Sequence, residues 1–204
     1  MKKLLCLIGG AMLTMSVQSQ KISIKPFDIN DRIPDLPLTN VINYQDTVAS
    51  LSSFSNKLII LDFWETHCSS CIAMFPKEEA LQQANNDRIQ FILVTYDLES
   101  KVNKFFHTWD STHNMHLSMP IVTHDRLLRR LFKFKYIPHY VWISPNGKVL
   151  AQTSDKFINQ ATITDILNQI DTEHARMKKQ NWPANMYGFP KPKFDFLKIL
   201  KIAE

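Results

Sequence analysis

Cys68 and Cys71 stand three positions apart in the run Leu61-Asp62-Phe63-Trp64-Glu65-Thr66-His67-Cys68-Ser69-Ser70-Cys71. A Cys-x-x-Cys pair set between a buried strand and a helix puts its first sulfur at the first helical turn. Unpaired backbone N–H groups and the positive end of the helix dipole favour a thiolate there. Cys68 is so placed to attack a disulfide, and Cys71, one turn further on, to resolve the mixed disulfide that results. Ser69 and Ser70 can add hydrogen bonds to the sulfurs but bring no positive charge. The same spacing is also half of a zinc site, which needs two more ligands. His67, His107, His113, His116, His124 and His139 could contribute, scattered except for His113 and His116. A purely structural crosslink explains the pair poorly, because so small a loop barely restricts the unfolded chain.

The flanking sequence supplies the elements that would position the pair. Residues 58–63 form an apolar run broken only by Asp62, as expected of a strand buried on both faces. Residues 68–83 read as a helix with Ile72, Phe75 and Leu81 inward, and residues 89–95 as a second buried strand. A helical pattern follows at 99–109 (Val102, Phe105, Phe106, Trp109), then a short helix at 126–132. Residues 140–143 and 148–151 flank Pro145-Asn146-Gly147, a hairpin signal. Residues 161–170 close the pattern as a helix with Ile163, Ile166, Leu167 and Ile170 inward. Before all of these, residues 21–30 alternate like an edge strand or extended lead-in. The order strand, helix, strand, helix, helix, hairpin, helix predicts an α/β domain whose central mixed β-sheet is flanked by helices.

Composition sets the remaining bounds. In 204 residues, 45% are hydrophobic and 21% charged, ordinary for a globular chain with a full-sized core. Residues 1–20 read as a secretory signal peptide: Lys2 and Lys3, an apolar stretch from Leu4 to Leu13, then small side chains at Val17 and Ser19. That stretch is about half the ~20 residues that span a bilayer, which favours a cleaved leader over an anchor. Cleavage removes Cys6 and leaves Cys68 and Cys71 as the only cysteines. The division expected is a leader at 1–20, an N-terminal extension at 21–32, one domain at 33–171 and a basic, aromatic tail at 172–204. That tail holds Trp182, Tyr187, Phe189, Phe194 and Phe196 among prolines. It reads as an extended segment lying over the domain, a docking segment for a partner or membrane surface, or the start of a larger region.

The residues also resemble a known family. Asp62-Phe63-Trp64, the pair Cys68/Cys71 and Pro76 five positions later are similar to the active-site strand and kinked helix of thioredoxins. Residues 136–143 (Tyr-Ile-Pro-His-Tyr-Val-Trp-Ile) and Asn146-Gly147-Lys148-Val149 resemble their proline loop and final hairpin. Extra residues around 101–131 fall where exported thioredoxins of the TlpA/ResA-like type carry an added helix and strand. Residues 35–53 could supply that family's N-terminal hairpin. The resemblance covers about 33–170 and implies a thioredoxin-like fold. It also implies a cis Pro138 facing the disulfide, an Ile137 backbone offered to an extended substrate, and Asp62 as a buried carboxylate. In an apolar strand the Asp62 pKa should rise, which suits a proton acceptor for Cys71; the alternative is a carboxylate with no kinetic role. Trp64 is expected to shield the sulfurs and meet substrate, or to be ordinary core packing. Glu65 and His67 could tune Cys68 or be solvated loop residues. Ser-Ser in the central dipeptide and His67 depart from the family's commoner patterns.

The function expected is a thiol–disulfide oxidoreductase that reduces disulfides of exported, periplasmic or otherwise extracytoplasmic proteins, with electrons from a membrane-bound donor. Alternatives are a disulfide-forming oxidase using the same cysteines, or a non-enzymatic copper or zinc carrier. A peroxidase is disfavoured because no Pro-x-x-x-Thr/Ser-x-x-Cys pattern precedes Cys68. No cofactor, resident metal or nucleic-acid partner is expected, and the chain is expected to act as a monomer.

Overall fold

A computed structural model describes residues 25–190. The leader at 1–20, together with Phe194 and Phe196 of the tail, lies outside the described residues. Six strands form the main sheet: β2 (Val41–Ile42), β4 (Leu58–Phe63), β5 (Ile89–Val94), β6 (Ile121–Val122), β7 (His139–Ile143) and β8 (Val149–Thr153), in the order β2-β6-β5-β4-β7-β8. β4, β5 and β6 run parallel, while β7, β8 and β2 are antiparallel to their neighbours. The sheet is therefore mixed, and the fold thioredoxin-like. A separate hairpin pairs β1 (Pro37–Thr39) with β3 (Val48–Ser50), the N-terminal hairpin expected at 35–53.

β4 shows why the sheet lies where it does. All six residues are buried, and their alternation divides them between two cores. Ile59, Leu61 and Phe63 face the hairpin and the short helix α4 (Leu128–Leu131). Leu58, Ile60 and Trp64 face the apolar stripes of four other helices: α1 (Ser69–Ile72), α2 (Phe75–Ala84), α3 (Glu99–His113) and α5 (Gln160–Lys179). By the same alternation Asp62 belongs to the second, helix-covered face.

Two elements differ from the sequence expectation, and a third, the lead-in, takes the second of its two alternatives. The helix expected at 68–83 is two helices, because Pro76 has no N–H to bond the carbonyl of Ile72 and the first helix stops there. Residues 25–30 form no strand; they run beside the sheet through Phe27 N–H to Leu131 O and Asn30 N–H to Val149 O. The last helix runs on to Lys179 rather than ending near Ile170, so the expected boundary at 171/172 falls inside it. Its inner face continues to the buried Met177, a position the charged residues around it disguised.

Beyond α5 the chain is held down by Arg32. Its guanidinium donates to the carbonyls of Asn146 (2.9 Å), Asn185 (3.0 Å) and Gly188 (2.6 Å). Phe189 lies against Gly147, whose φ of +80° suits glycine; a Cβ there would meet Ile33 O at 2.8 Å. Trp182 lies under the Arg176 side chain of α5. Through residue 190 the tail therefore follows the domain surface.

Candidate active site

Cys68 is the N-cap of α1 and is joined to Cys71 by a disulfide with S–S 2.05 Å and Cα–Cα 5.3 Å. Its sulfur accepts a hydrogen bond from the Cys71 N–H at 3.2 Å and lies 3.4 Å from the Ser70 hydroxyl. The two sulfurs differ in access: Cys68 is partly exposed and Cys71 is fully buried. A partner approaching from solvent meets Cys68.

Sheet register brings the proline loop to the same end of the sheet. Phe63, the last residue of β4, is paired with His139, the first of β7. The chain leaving β4 toward Cys68 and the chain entering β7 through Ile137 and Pro138 are thus neighbours. The Ile137–Pro138 peptide bond is cis. Ile137 and Cys68 pack against the same buried cluster, and both residues of the loop are half-buried. Tyr136, just before them, is 82% exposed. His139 stacks on Phe134 and meets Gln152 at 3.1 Å; burial lowers its pKa, which keeps the ring neutral.

A group of polar side chains is enclosed on the helix-covered face of the sheet. Asp62, Glu78 and Tyr140 are each 0% exposed. Tyr140 Oη donates to Glu78 Oε1 at 2.5 Å. Oε2 of Glu78 and both Asp62 oxygens have no donor. Burial pushes the Asp62 pKa far above the carboxylate range, and the neighbouring Glu78 charge adds to the rise. Burial also raises Glu78 to about 8, against the Tyr140 hydrogen bond, the adjoining Asp62 carboxyl and the charge of Lys77. Two enclosed carboxyls at such close quarters cannot both be ionised. A hydrogen bond between them therefore requires that one be protonated.

A second polar cluster braces the turn before Cys68. Glu65, 9% exposed, receives Arg129 Nη2 at Oε1 (2.9 Å) and Tyr96 Oη at Oε2 (3.2 Å), and His67 Nε2 lies 2.9 Å from Oε2. Thr66 donates through both its N–H (2.9 Å) and its hydroxyl (2.8 Å) to Asp97, which also receives Lys101 Nζ at 2.7 Å. Burial tends to raise the Asp97 pKa, but the bonds from Lys101 and Thr66 prevail and lower it. Glu65 is therefore a bound anchor rather than a solvated loop residue.

The expectation that Trp64 meets substrate is corrected. Its ring is 0% exposed, enclosed by Phe75, Phe105 and Phe106 at centroid distances of 5.0, 5.5 and 5.6 Å. It packs the floor beneath α1 and offers no surface to a partner. Sequence reasoning missed Glu78, Tyr140, Asp97 and Arg129. Glu78 stands beside Glu79 in a helix, and nothing local tells which one turns inward. Tyr140 shares its face with Trp142 by strand alternation, a signal that was legible. Among the described residues no three His, Cys, Asp or Glu side chains gather as metal ligands.

The comparisons agree with this geometry. The family model described as redoxin matches residues 29–170. Over 151 residues the chain is 26% identical to the thiol-disulfide oxidoreductase ResA of Oceanobacillus iheyensis, covering 72% of this chain and 75% of that protein. Among solved structures, it is similar to a Chlorobium tepidum protein described as a thiol:disulfide interchange protein DsbE. The TM-score is 0.54 at 24% identity, over 71% of this chain and 96% of that one. It is likewise similar to the thioredoxin domain of a thiol-disulfide oxidoreductase from Bacteroides vulgatus, with TM-score 0.54, 17% identity, and 71% and 99% coverage. At these identities the structural likenesses speak for the fold.

Proposed function

We propose, from the premise that this chain belongs to the redoxin family and is a thiol–disulfide oxidoreductase, that it reduces disulfides of exported proteins through the Cys68/Cys71 dithiol. The observation that carries the direction of attack is the unequal access of the two sulfurs, one reachable from solvent and one enclosed. In the reduced protein, the Cys68 thiolate attacks one sulfur of the partner disulfide, and the other partner sulfur leaves as a thiolate. Cys71 then gives its proton to Asp62, and its sulfur attacks Cys68. The Cys68–partner bond breaks, the second partner thiolate leaves, and the protein is left as the disulfide. Two electrons have passed from the protein to its partner.

Pro138 and the Ile137 backbone, on the chain beside the one that leads to Cys68, are assigned to hold an extended partner strand. The leader-like residues 1–20 support an extracytoplasmic location. In such a compartment no soluble thiol pool re-reduces the site, so a membrane-bound donor completes the cycle. The chain works as a monomer.

The test is the reduction potential of the Cys68/Cys71 couple, measured by equilibration against thiol buffers. A value near or below about −250 mV is expected, in the range of a reductant. A value near about −120 mV would make the protein a disulfide-forming oxidase acting through the same residues.

A further inference from the structure

Disulfide exchange as described uses Asp62 but leaves the enclosed Glu78 and Tyr140 without a part. Asp62 and Tyr140 are directly opposed on β4 and β7, so their side chains leave the sheet on the same, helix-covered face. Glu78 comes down onto that pair from α2, the helix that continues beyond Cys71 and the Pro76 break. Tyr140 fixes one Glu78 oxygen by its 2.5 Å bond, which leaves Oε2 as the free oxygen. Asp62 has two more without donors. Tyr140 alone would be served as well by a neutral acceptor. A second carboxyl set against Asp62 in a sealed core is costly unless a proton is held between them.

We propose that Glu78 is a positioning residue for disulfide exchange: anchored by Tyr140, it shares one proton with Asp62 through its free Oε2, so that Asp62 can meet Cys71 as base or as acid while the core holds a single negative charge. The inference rests on the reading of Cys68 and Cys71 given above. When the proton sits on Glu78, Asp62 is the base: it takes the Cys71 proton as the Cys71 sulfur bonds to Cys68 and the partner thiolate leaves. Both carboxyls are then neutral, and one proton passes to solvent to restore the shared state. When the proton sits on Asp62, as in the disulfide form, Asp62 can return it to the Cys71 thiolate that appears when a donor reduces the site.

The groups that face this centre are few. β7 contributes Tyr140, β5 the apolar Leu93, and α2 Glu78 with the charge of Lys77 outside it, while Cys71 of α1 belongs to the same buried cluster as Tyr140. Asp155 acts on it only through Tyr140. The elevated pKa values of Asp62 and Glu78 accord with a shared proton.

Two variants of the full chain move the centre in opposite directions. E78Q removes the like charge and supplies an N–H to Asp62, so Asp62 should ionise at a pH lower by about one unit, a tenfold change in proton concentration. Y140F removes the donor that stabilises the Glu78 carboxylate, so the shared proton should persist to higher pH. Two readouts are taken: carbon NMR of the Asp62 carboxyl in the oxidised protein, and the pH profile of single-turnover oxidation of the reduced protein by oxidised glutathione. Opposite shifts of the NMR midpoint, followed by the same shifts in the rate profile, support the proposal. Unmoved NMR midpoints overturn it, as does an NMR shift with rate profiles that superpose; in either case the oxidoreductase reading stands. A wild-type protein that transfers no electrons to or from the glutathione couple at any pH would overturn both.

Discussion

Arg129 Nη2 lies 2.9 Å from Glu65 Oε1, and its guanidinium also sits over the rings of Tyr96 at 4.8 Å and Phe134 at 5.2 Å. One side chain so ties α4, in the segment between β6 and β7, to the turn that delivers Cys68. Phe134 in turn stacks on His139, next to the cis Ile137–Pro138 bond. Cys68 and the proline loop thus share a common brace. The carboxylate is nearly enclosed, and the guanidinium is about one-third exposed, so the pair lies between a surface bridge and a buried one.

Arg129→Ala should lower the stability of the oxidised protein by about 1–2 kcal/mol, since a largely buried carboxylate loses its charged donor. Arg129→Lys should restore little of it, because an ammonium reproduces neither the fork nor the stacking on two rings. Urea denaturation of the two variants and the parent measures this. Parent-like midpoints for Arg129→Ala would show the contact to be incidental.

Stability should fall as pH rises through the neutral range. Glu78 has its folded pKa raised from 4.5 to about 8, and Asp62 is raised as well. Between those values the folded chain binds more protons than the unfolded chain, so unfolding becomes easier with each increment of pH. The slope for one extra bound proton is about 1.4 kcal/mol per pH unit, and it should vanish above about pH 8 for Glu78. Asp62→Ala should raise stability near neutral pH and flatten the dependence while slowing resolution. Denaturation at a series of pH values checks the sign, which would be reversed if the carboxyls were stabilised as ions.

Cys71→Ser should accumulate mixed disulfides through Cys68, because the attacking sulfur is accessible and its resolving partner is gone. Cys68→Ser should abolish turnover, since the remaining Cys71 thiol is enclosed. Mass spectrometry of each variant after exposure to a disulfide-bonded peptide distinguishes them. Adducts forming on Cys71 in the Cys68→Ser protein, at rates like those of Cys68, would overturn the order of attack.

The sequence by itself determined the features that depend on local pattern. The apolar run at 58–63, the pair Cys68/Cys71 after it and the break at Pro76 state a strand, a reactive turn and a kinked helix within twenty residues. Asn146-Gly147 marks the hairpin because a turn needs a residue free to take positive φ, and Gly147 does. The helix end at Lys179 was hidden, since one buried methionine among charged residues is a weak periodic signal. What only the tertiary structure decided is which polar residues lose their water. Glu78 and Glu79 are adjacent and alike in sequence, yet Glu78 meets Tyr140 inside the core while Glu79 bonds Gln83 and the Ser118 N–H near the surface. Arg129 lies 64 positions from Glu65, and no local pattern links them. Such pairings depend on how β4, β7 and the helices above them are stacked. The cost of burying a charge is set by that enclosure and not by the residue's neighbours in the chain.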